Sequence, residues 1–121
     1  MYQSDWLLRQ IEMLGHAFGR LLDALREHRP HEAVEVTREA IGELLDTDPA
    51  MLDGLTGDGL VMLLSPGGTL DVFRAHMLGE LLSARASALK ELGDVEAATA
   101  ERDRARVLLA GEPNIREVIP F

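Results

Sequence analysis

Glu12 and His16, and again His76 and Glu80, stand four residues apart, a spacing that stacks two side chains on one face of a helix. A carboxylate and an imidazole presented in this way from two helices would suit a metal centre of the kind that helix bundles hold between their elements. These four residues are the best metal candidate in the chain, and the only basis for reading it as an enzyme or a metal-binding protein. The tighter Glu-x-x-His and His-Glu-x-x-His spacings of bundle di-metal and metalloprotease sites are absent. Glu12 and His16 also fall among charges, where such a pair needs no metal. No metal ligand is therefore assigned.

Other chemistry finds no footing. Ser65, Ser83 and Ser87 have no histidine near them in sequence to activate a hydroxyl. Gly67-Gly68-Thr69 ahead of a helix could cradle an anion on backbone N–H groups. It lacks the lysine and the preceding strand of a phosphate loop, so a connector ending in a threonine cap is expected. His28 and His31 flank Arg29-Pro30 as exposed linker residues. The chain has no cysteine, which removes thiolate zinc sites and thiol nucleophiles. No catalytic or cofactor-binding residue is assigned, and no cofactor is expected.

The elements that would carry such residues read as helices throughout. Leu7, Ile11, Leu14, Phe18, Leu21 and Leu25 alternate at spacings of four and three, predicting an amphipathic first helix capped by Asp5 or Ser4. Its other face carries Arg9, Glu12, His16, Arg20, Asp23 and Glu27. Pro30 suits the first turn of a second helix, running to about Leu45 with Ala33, Val36, Ala40, Ile41 and Leu44 inward. Asp48-Pro49 and the glycines at 54, 57 and 59 leave room only for short helices near residues 51–55 and 59–64. Thr69 is expected to cap a long helix to about Leu92, apolar at Phe73, Met77, Leu78, Leu81, Leu82, Ala84, Ala88, Leu89 and Leu92 and hence central. Gly93 ends it. Asp94 caps a last helix whose inner stripe is Ala98, Ala105, Leu108 and Leu109. Residues 111–121 follow as an extended tail, with Ile115, Val118, Ile119 and Phe121 to dock on something.

Two pairs of alanines, seven residues apart, follow tight turns. Ala33 and Ala40 come after Arg29-Pro30; Ala98 and Ala105 come after Gly93-Asp94, 65 residues on. Seven residues are two helical turns, so each pair marks a stripe where a neighbouring helix can approach closely. Residues 82–110 resemble one tetratricopeptide repeat, through the Leu92-Gly93-Asp94 turn, Ala86, Ala98 and Ala105. Leu82 and Leu89 replace that motif's aromatics, Arg85 its leucine, Arg102 its second-helix aromatic and Ala110 its closing proline. The opening, from Tyr2-Gln3-Ser4-Asp5-Trp6-Leu7-Leu8 to Glu12, together with Leu78-Gly79-Glu80-Leu81-Leu82, resembles a family of small all-helical bacterial proteins of uncharacterised function. That resemblance implies a fold and a bacterial source, and supplies no activity or site residue.

Composition bounds the rest. With 121 residues the chain is long enough for one domain with its own core, expected over residues 1–110. A net charge of −9 repels phosphate backbones and anionic lipid, so neither nucleic acid nor membrane is expected as a partner. No membrane span or signal segment is read, and a cytoplasmic location is expected. Trp6, Leu8 and Met13 widen the sticky face of the first helix, and Met51, Met62 and Met77 add adaptable surface. The expectation is an all-α, compact, tetratricopeptide-like bundle of five to six helices. It would serve as a protein-interaction or scaffolding module without catalysis, its partner unknown. The alternative is a structural homo-oligomer, with Trp6, Leu8 and the tail at a homodimer contact.

Overall fold

The structure, a computed structural model, describes the backbone of residues 2–110 and the side chains of residues 8–110. The expected contacts of Trp6 and of the tail at 111–121 lie outside the described residues. Among these residues the chain is all-helical, with no strand. It forms α1 (Tyr2–Arg26), α2 (Pro30–Leu45), α3 (Gly57–Leu63), α4 (Val72–Glu91) and α5 (Val95–Ala110), with short 3-10 turns at Pro49–Leu52 and Pro66–Gly68.

α1 and α2 form one antiparallel hairpin, α4 and α5 another, and α2 packs on α4 to join them; α3 lies against α5. One apolar core runs through all five helices. The inward set expected of α2 is buried, as are Leu78, Leu81, Leu82 and Ala88 of α4 and Ala98, Ala105 and Leu108 of α5. Ala75, Gly79 and Ala86 complete the buried faces of α4, which is enclosed over a wide arc because it serves two neighbours.

Local chemistry sets the helix ends. Asp94 accepts a hydrogen bond from the Ala97 N–H at 3.1 Å, and Pro30 occupies the first turn of α2. α4 begins later than its threonine suggests. Its cap is Asp71, whose carboxylate accepts from the Arg74 N–H at 3.1 Å, while Thr69 remains extended. A carboxylate at this position gains more from the helix dipole than a hydroxyl two residues upstream. α1 begins at Tyr2, so Ser4 and Asp5 lie within it instead of capping it.

The face that α1 turns inward is also displaced. Gln10, Leu14, Leu21 and Ala24 are buried, whereas Ile11 is exposed and Phe18 half-buried. The buried set is rotated by roughly half a residue, about 50°, from the expected stripe. Among the described residues α1 has extensive contact with α2 alone, and one neighbour covers only about a third of a helix circumference.

α5 approaches closely at its C-terminal end, where two glycines receive it. A Cβ at Gly57 would stand 2.7 Å from the Val107 Cβ, and one at Gly79 would stand 2.7 Å from the Leu109 Cδ2. These glycines let α3 and α4 press against α5.

Candidate functional site

The polar residues singled out by spacing do not assemble. Glu12 and His16 are exposed on α1. On α4, His76 Nε2 lies 4.0 Å from Glu80 Oε1 across one helical turn, with both side chains partly exposed. No three His, Asp or Glu side chains among the described residues gather closely enough to hold a metal. Two of the serine hydroxyls are taken up by backbone carbonyls four residues back: Ser65 donates to the Val61 carbonyl at 2.6 Å, and Ser87 to that of Ser83 at 3.3 Å. Gly67 and Gly68 take positive φ in the turn before α4. At that helix start the Arg74 N–H already donates to the Asp71 carboxylate, whose charge would repel an anion.

His28 is exposed, and it is bonded. Its Nδ1 lies 2.6 Å from Glu91 Oε1, linking the turn of the first hairpin to the end of α4.

The residues that do converge are charged ones that spacing alone did not single out. Glu101 of α5 lies 2.6 Å from the Arg104 guanidinium and 3.6 Å from that of Arg85 on α4; these three side chains are only 12 to 19% exposed. Arg104 also donates to the Leu52 carbonyl at 2.9 Å, tying α5 to the 3-10 turn after α2. Arg38 and Asp53, 4.0 Å apart, extend the charges to the rim. Below them Ile41, Leu52, Leu60, Leu78 and Leu82 form an apolar floor. The free volume in this cleft is about 30 Å³, room for roughly one or two water molecules. Glu101 thus fills the space between the two arginines that a ligand would need. The signal in the sequence was Glu101 and Arg104 beside Ala98 and Ala105, on the face that turns inward.

Apolar side chains left in solvent are the other unusual feature. On α1, Leu8, Ile11 and Leu22 are 47 to 57% exposed and stand on one side of the helix. Met51, Met62 and Leu63 are exposed around α3. Met77, by contrast, packs against the core. No helix among the described residues is long and apolar enough to cross a membrane.

The fold and these surfaces define an all-α bundle of two stacked helical hairpins with a charged fastener inside the second and an apolar face on the first helix. Comparison with protein-family models, with curated proteins and with solved structures finds no match.

Proposed function

We propose that this chain is a protein-interaction or scaffolding module, built as a compact tetratricopeptide-like bundle and acting without catalysis in a bacterial cytoplasm. The observation that carries this reading is the outer face of α1. Leu8, Ile11 and Leu22 remain in solvent on a helix whose adjoining face already has its partner. Aliphatic side chains aligned on one face of an edge helix mark an interaction site more readily than scattered ones do. The repeat-like description draws on the two hairpins, each with a left-handed turn residue ahead of a buried alanine pair. The acidic balance of the chain favours a protein partner over nucleic acid or an anionic membrane.

The test is site-specific photo-crosslinking in the native cell, with a photoreactive phenylalanine at Leu22 or Ile11 and, as control, at Asp103 on the exposed side of α5. Discrete adducts from the α1 positions, absent from the control, are expected. No adduct from either α1 position would overturn the reading.

A further inference from the structure

The outer face of α1 has the repeat of a helix–helix seam. Leu8, Ile11, Gly15, Phe18, Leu22 and Leu25 alternate at spacings of three and four, the pattern that keeps one stripe turned toward a partner helix. Phe18 and Leu25 stand at its inner edge, half-buried against the core, while Leu8, Ile11 and Leu22 lie open. At Gly15 and Gly19 nothing lies within 4 Å of where a Cβ would be. The stripe therefore has an open notch at its middle.

We propose that this stripe is a self-association seam: a second copy of the chain lays its own α1 antiparallel along it. The inference rests on the reading of α1 as the interaction face and names its occupant. The sequence of the stripe is complementary to itself when one copy is reversed. Leu8 then meets Leu25 of the second copy, Ile11 meets Leu22, and Gly15 meets Phe18, with each pairing repeated by the twofold axis. The glycine notch accepts the aromatic ring. A parallel pairing would instead set glycine on glycine and ring on ring.

Charge selects the same direction. Along the flank of the stripe α1 carries an acid in the stripe's first half, Glu12, and a base at the helix end, Arg26, both exposed and neither ion-paired among the described residues. Reversal brings Glu12 of each copy to the same side as Arg26 of the other, within reach of long side chains. Parallel alignment puts the Glu12–Arg26 flanks of the two copies on opposite sides of the seam, where acid and base do not meet. The stripe from Leu8 to Leu25 runs about 26 Å at 1.5 Å per residue. Two helices in contact over that length bury on the order of 1,000 Å² in total, the lower bound for a specific interface.

The absence of cysteine makes the test direct. Ile11→Cys and Leu22→Cys variants of the full chain, carrying different tags, are mixed and oxidised. The dominant product expected is the mixed disulfide between position 11 of one copy and position 22 of the other. In sedimentation the unmodified chain should dimerise at about 100 micromolar or below, and Leu22→Glu should weaken association by about tenfold or more with its helical circular dichroism unchanged. Glu12→Arg should weaken it, and adding Arg26→Glu should restore it.

Dominance of the disulfide between two copies of position 11 would overturn the antiparallel seam. A monomeric wild type that dimerises only after deletion of residues 111–121 would assign the stripe to the chain's own tail instead. A monomer whose Leu22 photo-adduct contains a different protein would overturn self-association and leave the interaction reading standing; a monomer with no adduct would overturn both.

Discussion

His28 and Gly93 hold the same place in the same turn, 65 residues apart. Each is the left-handed residue that ends the first helix of a hairpin, with φ of 56° and 86°. The N–H of His28 bonds to the Leu25 carbonyl and that of Arg29 to the Ala24 carbonyl; the N–H of Gly93 bonds to the Lys90 carbonyl and that of Asp94 to the Leu89 carbonyl. The repeat seen in the alanine pairs thus extends to the backbone of the turns that aim them. The His28–Glu91 contact then joins one turn to the other.

The left-handed turn makes Gly93 sensitive to any side chain. Gly93→Ala is expected to lower stability by about 1 kcal/mol, because an L residue pays for that backbone region and the alanine has no compensating bond. Urea unfolding followed by circular dichroism checks this, and an unchanged midpoint would refute it.

The buried alanines should resist enlargement. Ala98 and Ala105 are nearly inaccessible in the α5 stripe, so leucine at either position is expected to cost about 1 to 3 kcal/mol through overpacking. Asp94→Ala should cost about 1 kcal/mol through loss of the bond to the Ala97 N–H. Three variants with wild-type thermal unfolding would contradict the packing of this hairpin.

At the close approaches to α5 the two glycines should differ. Gly57→Ala presses on the Val107 Cβ, which is fixed to the α5 backbone, and is expected to cost about 1 to 3 kcal/mol. Gly79→Ala meets Leu109 Cδ2 and Cγ, which can both swing aside by rotation at χ1 while the α5 backbone stays in place, and alanine also favours the helix by about 1 kcal/mol. The smaller loss is therefore expected at Gly79. The reverse order in chemical unfolding would show that α5 sits differently.

Glu101 should be the most sensitive charged residue. Removing it leaves Arg85 and Arg104 facing each other with their shared carboxylate gone, and breaking a largely buried pair in this way costs about 3 kcal/mol. Arg38→Ala, at the exposed rim, should cost well under 1 kcal/mol. A double-mutant cycle between Glu101 and Arg85 should return a coupling energy; strict additivity would mean that the contact carries nothing.

Much of the helical organisation was legible in residue types because it depends on neighbours close along the chain. Pro30, Gly93 and Asp94 mark turns and caps by their own backbone chemistry, and the inward set of α2 follows from the period of the helix. Asp71 shows the limit of such reading: it and Thr69 are both acceptable caps, and only the path of the chain after Gly68 decides between them. The tertiary structure alone decided what surrounds each face. Ile11 belongs to a proper apolar period, yet it is exposed, because among the described residues α1 has extensive contact only with α2. Glu101 belongs to a charged stretch, yet it is enclosed, because closure of the α4–α5 hairpin brings Arg85 to it from sixteen residues away. Periodicity fixes which side chains share a face; the number of neighbouring helices, set by packing across the whole chain, fixes whether that face meets protein or water.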